Sequence, residues 1–227
     1  MTARPQTAMS RAEASKAAAT RQRILDAAAV VFVQKGYVAT RLNDIARAAQ
    51  MQAGSLYYHF DSKEQIFEEV LEIGMRRVFD AVRRAVEALG PEAGYRERIV
   101  VAIRAHLELL LQQSAYTSAN IRNFGQIPQE LQDRHLPTRV AYGDYWRDLL
   151  EGGQAAGEIR ADADLSVLRM LLLGALNWAL EWYDPEGRPI AAIADEVQRM
   201  LFDGIASAPK TPGNGAPPPR ARKPRAR

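Results

Sequence analysis

The chain has 227 residues and a mass of 25.2 kDa; 47% of its residues are hydrophobic, 25% are charged, and the formal net charge is +3. This composition is that of an ordinary globular protein with a sizeable core, and it excludes the collagen-like and wholly disordered classes. Because the sequence contains no cysteine, it also excludes a disulfide framework, a cysteine-ligated metal site and a thiol nucleophile.

The small net charge conceals an asymmetry along the chain. Residues 1–63 contain nine lysines and arginines against four acidic residues, whereas residues 64–206 contain 15 against 23. Residues 207–227 contain six basic residues and no acidic residue. Basic ends on an acidic body indicate that the ends meet a polyanion, and the alternative is that the tail only increases solubility.

The N-terminal segment has no apolar stretch of signal-peptide length, so we expect neither secretion nor a cleaved leader. The longest mainly apolar stretch, residues 170–180, is about half the length of a membrane span and contains Asn177. The sequence therefore predicts a cytoplasmic protein. Residues 1–19 are expected to form a disordered basic arm.

Apolar residues recur at three- and four-residue steps in the N-terminal third, which predicts helices. Gly36 is a suitable stop residue for the first of them. Ser62 and Gln65 have the spacing of a capping box, which places the start of a long helix at Lys63. The predicted elements are a helix over residues 20–35, a short helix capped by Thr40, a second short helix after a break near residues 50–52, and a long helix over residues 63–89.

Helical periodicity continues through the rest of the chain, and no alternating pattern long enough for a strand occurs. The breaks between the helices are marked by glycine and proline. The predicted helices cover residues 94–113, 115–124, 128–135, 138–152, 162–183 and 190–206. The fold class is therefore all-α, and the proline- and arginine-rich residues 207–227 are expected to form a disordered tail.

The most informative stretch is residues 40–67, TRLNDIARAAQMQAGSLYYHFDSKEQIF. It contains two short helices separated by a tight break, and the second helix is rich in polar and aromatic residues. This is the layout of a helix-turn-helix motif, in which the second helix presents its outward residues to the major groove of DNA.

A set of residues at fixed spacing makes the interpretation more specific. The set comprises Gly36, Tyr37, Ala39, Thr40, Asp44, Ile45, Ala46, Ala49, Gly54, Ser55, Leu56, Tyr57, Tyr58, His59, Phe60, Ser62, Lys63 and Glu64. In these positions the stretch resembles the DNA-binding segment of the TetR family of transcriptional regulators. The resemblance implies a DNA-binding domain over residues 20–66, a ligand-binding and dimerisation domain over residues 67–206, and a ligand-responsive repressor that binds a palindromic operator as a homodimer.

Two residues depart from the family pattern. Gln50 occupies the turn position where the family usually has glycine, so it must adopt a left-handed backbone or the turn must re-form. Gln52 stands where serine or threonine usually caps the recognition helix. The Gln52 amide is a weaker cap, but it is suited to a contact with the edge of an adenine base.

The residues expected to contact DNA are Thr40, Arg41, Gln52, Ala53, Gly54, Ser55, Tyr57, His59 and Lys63. Tyr57 and His59 offer hydrogen-bond donors beside the groove, and Lys63 offers a cation and backbone N–H groups to a phosphate. Tyr58 is expected to pack inward beside Leu56 and Phe60. A metal site at His59 is not expected, because the other two histidines are remote in sequence and no carboxylate has a suitable spacing.

The last two predicted helices carry apolar stripes suited to pairing, and the first of them is apolar on more than one side. The stripes are Leu165, Leu168, Leu172, Leu176 and Leu180, and then Ile190, Ile193, Val197, Leu201 and Ile205. We expect a homodimer closed by a four-helix bundle, whose two-fold symmetry matches that of a palindromic operator. The alternative is a monomer that buries both stripes internally.

The candidate ligand-binding residues are Tyr116, Asn120, Arg122, Phe124, Tyr142, Trp146, Asn177, Trp178 and Trp182. The segments NWALEWYDPEGRP and RNFGQIPQEL resemble the C-terminal region of TetR-family members that respond to acyl-coenzyme A thioesters. The resemblance implies an apolar tunnel for the acyl chain, with Arg122, Arg139 or Arg147 pairing with phosphates. The alternative interpretation of the aromatic residues is that they only fill the core.

Ligand binding is expected to change the spacing of the two recognition helices, with the fourth helix as the lever. A TetR-type regulator of another ligand class, such as a drug or an aromatic compound, is the main alternative. A helical enzyme is poorly supported because no hydrolase, nucleotide-binding or zinc-protease motif occurs, and a purely architectural DNA-binding protein would not need the aromatic-rich body. No cofactor is expected.

Overall fold

The computed structural model describes residues 11–113 and 115–204, and every regular element in these ranges is helical. The prediction of an all-α fold is therefore confirmed. The α-helices are α1 (Arg11–Ala39), α2 (Leu42–Ala48), α3 (Ala53–Leu56), α4 (Lys63–Glu87), α5 (Tyr95–Glu108), α6 (Ala115–Asn123), α7 (Gln129–Ala155), α8 (Leu165–Trp182) and α9 (Ile190–Phe202). A π-helical segment, Leu109–Gln113, follows α5, and a 3₁₀ turn, Phe124–Gln126, follows α6.

Helix α1 begins at Arg11, nine residues before the predicted start at residue 20. Residues 11–19, which the sequence places in a disordered arm, are helical because this segment is rich in alanine, the residue with the highest helix propensity. At the other end Gly36 leaves the helical conformation with φ of 77°, as its assignment as a stop residue predicts. The predicted tail, residues 207–227, and the first ten residues lie outside the described ranges.

The prediction of two helices over residues 128–135 and 138–152 is wrong, because α7 runs through Pro137 without a break. A proline inside a helix removes one backbone hydrogen bond. Residues on both sides of Pro137 are buried, namely Leu131 and His135 before it and Tyr142 and Trp146 after it. The burial of both segments against the rest of the body stabilises one continuous helix in spite of the lost bond.

Helix α4 begins at Lys63, as predicted. The Ser62 hydroxyl accepts a hydrogen bond from the backbone N–H of Gln65 at 3.1 Å, and the Gln65 side chain accepts one from the N–H of Asp61 at 2.8 Å. The first bond satisfies a donor that the N-terminus of α4 otherwise leaves unpaired. The Gln65 side chain bonds to Asp61 rather than to the N-cap residue Ser62, so the predicted capping box is only half formed.

The buried apolar residues form two cores, and α4 contributes to both. The first core contains the buried faces of α1, α2, α3 and the start of α4, together with Tyr116 and Ala119 of α6 and Ile127 and Leu131 beyond it. The second core contains the rest of α4 with α5, α7, α8 and α9. We call the region around the first core the head and the region around the second core the body.

Candidate nucleic-acid interface and internal cavity

Helices α2 and α3 are held on the head by small and aliphatic buried side chains. Ile45, Ala46 and Ala49 of the α2 segment and Leu56 of α3 are at most 2% exposed. At the start of α2, the N–H of Arg41 donates to the Asp44 carboxylate at 3.0 Å, and the Lys35 ammonium donates to the same carboxylate at 2.7 Å. The bond from Lys35, followed by that from Arg41, lowers the pKa of Asp44.

The turn between α2 and α3 is built around Gln50. Its φ is 55°, so of the two alternatives that the sequence left open the structure has the left-handed backbone and not a re-formed turn. The N–H of Gln50 donates to Arg47 at 3.1 Å, and the N–H of Met51 donates to Ala46 at 2.9 Å. These bonds hold the turn in a backbone region that costs a non-glycine residue free energy.

Helix α3 is four residues long, and its outer surface is open to solvent. Gln52 is its N-cap residue, but its side chain makes no capping hydrogen bond. Gln52, Gly54 and Ser55 are exposed, and a β-carbon on Gly54 would have no neighbour within 4 Å. The Gln52 amide is therefore available to an external partner, and Gly54 leaves room for the close approach of one.

The prediction that Tyr58 packs inward is wrong. Leu56 and Phe60 are buried, but Tyr58 is 92% exposed and Tyr57 is 57% exposed. Leu56 and Phe60 are four residues apart and therefore share the inner face, whereas a residue halfway between them lies on the opposite side of the helical path. Two tyrosines thus stand side by side on the outer surface.

Thr40 and Lys63 turn their polar groups toward the protein. The buried Thr40 donates its hydroxyl hydrogen to the carbonyl of Gly36 at 2.6 Å. The Lys63 ammonium donates to the carbonyl of Tyr37 at 2.9 Å and lies 4.3 Å from the centre of the Tyr37 ring. The Tyr37 hydroxyl in turn donates to Glu64 at 2.8 Å. Lys63 therefore fastens the end of α1 to the start of α4, and its phosphate contact stays a prediction.

The remaining predicted contact residues lie around α3. Arg41 is exposed at the start of α2, and Ala53 and His59 are partly buried at the two ends of the α3 segment. The backbone carbonyl of His59 accepts a hydrogen bond from Arg21, whose guanidinium also pairs with Glu69 and lies 4.0 Å from the centre of the Phe60 ring. We define the recognition surface as the exposed and partly buried predicted residues around α3 together with the exposed Tyr58: Arg41, Gln52, Ala53, Gly54, Ser55, Tyr57, Tyr58 and His59.

The body contains a cavity of about 330 Å³ between α4, α6, α7 and α8, with His106 of α5 in its wall, and it opens to solvent beside the exposed residues Met170 and Gly174 of α8. Three of the nine predicted ligand-binding residues line it: Asn120, Tyr142 and Asn177. Arg139, one of the three arginines predicted to pair with phosphates, lines it as well. Its volume is at the lower end of the roughly 300–1,000 Å³ typical of small-molecule pockets.

His106 links two of these residues inside the wall of the cavity. Its Nδ1 lies 2.7 Å from the Tyr142 hydroxyl, and its Nε2 lies 3.1 Å from Oδ1 of Asn177. Because burial lowers the pKa of His106 to about 4, the ring is neutral near pH 7. The amide oxygen of Asn177 can only accept, so Nε2 carries the proton and Nδ1 accepts from Tyr142.

Asn120 is the polar centre on the α6 side of the cavity. Its oxygen accepts a hydrogen bond from Arg139 at 3.0 Å, and its nitrogen donates to the carbonyl of Leu71 at 3.2 Å and lies 3.3 Å from Nε2 of His135. The pKa values of His135 and Arg139 are both lowered by burial first of all. A buried network of this kind connects α4, α6 and α7.

The structure does not bring the other six predicted ligand-binding residues to the cavity. Tyr116 belongs to the first core, where its hydroxyl donates to Asp26 at 2.6 Å, and Trp146 is buried in the second core. Arg122 is exposed and pairs with Glu181 at 3.2 Å. Phe124 lies beneath the Arg139 guanidinium, 4.0 Å from ring centre to Cζ. Trp178 and Trp182 are exposed on α8.

Three polar residues of the cavity were not predicted from the sequence: His106, Thr117 and Arg169. His106 lies between Ile103 and Leu107 of α5, which are both buried. A histidine on the apolar face of a helix was therefore an available signal. The sequence around Arg169 gives no such signal, because apolar residues lie on every side of α8. Only the packing of the helices decides which side of α8 faces the cavity.

Helix α8 is apolar but mostly uncovered. By length and composition it would pass as a membrane-spanning helix, with a mean hydropathy of 1.2, and 17% of it is buried within the described part of the chain. The large exposed apolar side chains on α8 and α9 are Val167, Met170, Leu171, Trp178, Trp182 and Met200. Contiguous exposed apolar surface of this kind marks an interaction site.

A small helical head with an outward recognition surface, joined to a helical body with a partly polar cavity, is the architecture of a helix-turn-helix transcriptional regulator. The profile of bacterial regulatory proteins of the tetR family matches residues 24–70, and that of the tetracyclin repressor-like C-terminal domain matches residues 92–205. The chain belongs to the TetR family.

Individual relatives cover most of the chain. The transcriptional repressor KstR2 of Rhodococcus jostii is 30% identical over 198 residues, which are 82% of this chain and 91% of the relative. The probable acrEF/envCD operon repressor of Escherichia coli K12 is 26% identical over 86% of this chain and 92% of the relative. A solved structure of AibR with isovaleryl coenzyme A and operator DNA superposes with a TM-score of 0.74, at 26% identity, over 81% of this chain and 98% of AibR.

Proposed function

We propose that the protein represses transcription in the cytoplasm as a homodimer on a palindromic operator, and that an acyl-coenzyme A thioester in the body cavity releases it. The observation that carries the proposal is that one short helix, α6, both lines the cavity and is hydrogen-bonded to the head.

The DNA contact rests on the recognition surface. Its hydroxyl and guanidinium groups suit contacts with phosphates, and its amide suits a contact with a base edge. Its glycine allows the DNA to approach closely. Tyr57 and Tyr58 flank the groove wall, and Gln52 reads a base, with adenine as the partner whose edge matches an amide. Thr40 and Lys63 contact phosphates through the backbone ends of α2 and α4.

This assignment is tested on an operator selected from a random duplex library with the purified protein. We expect Tyr57→Ala to weaken binding about tenfold for every duplex, whereas Gln52→Ala relaxes the preference at one base pair, worth roughly 1–3 kcal/mol. Gln129→Ala, on the exposed start of α7, is the matched control and leaves binding unchanged. Unaltered affinity of a dimeric Tyr57→Ala variant would remove Tyr57 from the surface.

The dimer rests on the uncovered faces of α8 and α9. Leu171 and Trp178 are 67% and 66% exposed although they are large and apolar. Pairing α8 and α9 with the same helices of a second copy buries these residues in a four-helix bundle with two-fold symmetry. Such a dimer must present its α3 helices roughly 34–36 Å apart to occupy successive major grooves.

Sedimentation velocity tests the dimer. We expect Leu171→Glu to shift the protein to a monomer and to abolish operator binding, because two desolvated carboxylates would face apolar surface. Leu136→Glu, which places the same charge at an exposed position of α7, should remain dimeric. A parent protein that sediments as a monomer at micromolar concentration would refute this step.

The coupling runs through α6. Thr117 and Asn120 of α6 line the cavity, and Asn123, at the end of the same helix, accepts a hydrogen bond from the N–H of Tyr37 at 2.7 Å and donates to the carbonyl of Phe32 at 3.1 Å. A shift of α6 on ligand binding therefore moves α1 of the head. Helix α4, predicted as the lever, crosses α6 so closely at Gly74 that the two helices must move together.

The effector assignment is supported by the relatives and by the cavity. AibR was crystallised with isovaleryl coenzyme A, and the cavity joins apolar side chains to Arg139. Coenzyme A thioesters of increasing acyl length, with free coenzyme A as the control, are titrated against the protein bound to fluorescent operator. We expect release by at least one thioester at a concentration where coenzyme A is inert; release by aromatic drugs alone would favour the other ligand class.

A further inference from the structure

The cavity has a charge opposite to that of the body around it. The body is acidic, with 15 basic residues against 23 acidic ones over residues 64–206. The 14 residues that line the cavity include Arg139 and Arg169 but no aspartate or glutamate. Because His106 in its wall is neutral near pH 7, the two guanidinium groups set the charge of the cavity.

Arg169 projects from α8 against the backbone of α7 at Gly143, where a β-carbon would collide with its guanidinium. Its Nε is buried and has no hydrogen-bond partner among the described residues. Within the same ranges no carboxylate lies within 4 Å of it. A buried N–H donor without a partner is costly to maintain, so the position is a candidate for a ligand contact.

Arg139 approaches the cavity from α7. It is held over the Phe124 ring and donates to the amide oxygen of Asn120 at 3.0 Å, and it too has no carboxylate partner in residues 11–113 and 115–204. By contrast, Arg122 and Arg147 on the surface of the body are paired with Glu181 and Asp144. The stacking on Phe124 and the bond to Asn120 fix the guanidinium without neutralising it.

The rest of the lining is apolar or uncharged. Met75 and Val78 of α4 and Leu173 of α8 face the same space as the two arginines. The cavity thus has two cationic groups and an apolar side, which suit an amphipathic molecule that carries an anionic group.

We propose that the cavity binds an anionic amphiphile, whose carboxylate or phosphate oxygens accept hydrogen bonds from Arg139 and Arg169 while its apolar part packs against Met75, Val78 and Leu173. This proposal rests on the effector role of the cavity given above. Neutralising Arg139 weakens its bond to Asn120, and Asn120 lies on α6 between Tyr116 and Asn123, which both bond to α1 of the head. The anion therefore acts at the start of the coupling.

Calorimetry without DNA tests the site separately from repression. The probes are octanoate and isovalerate, their uncharged primary amides, and isovaleryl coenzyme A. We expect an anion to bind at least tenfold more tightly than its amide. Binding by the free acids assigns the anion to a carboxylate, and binding by the thioester alone assigns it to a phosphate. Equal binding of acids and amides, or binding of none of the probes, would overturn the proposal.

Variants separate the ligand role of the arginines from a structural one. Arg169→Gln and Arg139→Gln should each lose at least tenfold in affinity for the anion and little for the amide, and Arg169→Lys should recover part of the loss. Arg83→Gln, which removes a surface guanidinium paired with Asp80, is the control. The melting temperature of unliganded Arg169→Gln should not fall. If Arg169 were purely structural, its substitution would lower the melting temperature and leave the preference for the anion intact.

The operator assay then distinguishes the two proposals. An anion that binds with the arginine dependence described above but leaves the protein on its operator would refute the effector role and leave the anion site standing. An effector that releases the operator while Arg139→Gln and Arg169→Gln respond like the parent would refute the anion site and leave the regulator standing.

Discussion

The head and the body bury their polar groups in different ways. In the head, the buried polar groups of Thr40 and Asn123 bond to backbone atoms, and aromatic rings such as Phe32 and Phe67 pack edge to face at 4.6 Å between centres. In the body, His106 and Asn120 bond mainly to other side chains, around a cavity. A head satisfied by its own backbone is a rigid platform, whereas side-chain bonds around a cavity can be rearranged by a ligand.

The largest expected effect tests the rigidity of the head. Phe67 is fully buried between Phe32 and Tyr37, so Phe67→Ala should lower the free energy of unfolding by about 3–5 kcal/mol, through lost burial and the cavity left behind. Urea denaturation measures the change. Tyr58→Ala, at an exposed position, should change stability by less than about 0.5 kcal/mol; a loss comparable to that of Phe67→Ala would mean that Tyr58 is not exposed.

The next largest effect tests whether the His106 ring in the body is uncharged in the folded protein. Burial lowers the pKa of His106 to about 4, whereas the unfolded chain takes up this proton near pH 6.5. The unfolded state therefore binds more protons between these values, and stability should fall as the pH falls from about 6.5 to 4, by up to about 3 kcal/mol in total. Stability is unaffected by this group above pH 7.

Denaturation at a series of pH values checks this expectation. His106→Gln keeps a hydrogen-bonding side chain without a titrating ring and should flatten the acid limb of the profile. His59→Gln in the head is the matched control and should keep the acid sensitivity of the parent. If His106→Gln loses as much stability as the parent between about pH 6.5 and 4, another group, such as His135, dominates the loss of stability in acid.

A smaller effect is expected where head and body meet. A β-carbon on Gly74 would lie 2.7 Å from the carbonyl oxygen of Tyr116, so Gly74→Ala must push α4 and α6 apart. We expect a loss of about 1–3 kcal/mol from overpacking and a weaker response of operator binding to the effector. Gly125→Ala, with open space around it, should be near neutral in both thermal denaturation and operator release.

The smallest expected effect concerns the turn of the head. Gln50 holds a left-handed backbone with φ of 55°, so Gln50→Gly should raise the free energy of unfolding by up to about 1 kcal/mol, with the greater flexibility of glycine in the unfolded chain offsetting part of the gain. Gln50→Ala retains a β-carbon and should bring no gain. A stabilising Gln50→Ala would indicate that the backbone conformation is not the source of the strain.

The local features of the head were predictable because each depends on neighbours in sequence. The start of α4 after its N-cap residue Ser62 follows from spacing and was found as predicted. At Gln50 the sequence left two outcomes open, and the structure has the left-handed backbone. Tyr58 was placed on the wrong side because the prediction treated an aromatic residue as core by its type rather than by its position relative to Leu56 and Phe60.

The cavity was predictable only in part, because its members come from five helices. Asn120, Tyr142 and Asn177 were identified from their polar and aromatic character, but the same criterion selected Trp178 and Trp182, which are exposed, and Trp146, which is buried in the core. Residue type does not tell on which side of a helix an empty volume lies.

The sequence by itself determined the all-α class, the helix-turn-helix and the opposite charges of head and body, because helical periodicity, capping and charge are properties of short segments. Only the tertiary structure decided that Pro137 lies inside a helix, that Arg139 and Arg169 share one cavity, and that α6 connects this cavity to α1. These relations join residues far apart in the chain, and they are fixed by how the helices pack rather than by what each helix contains.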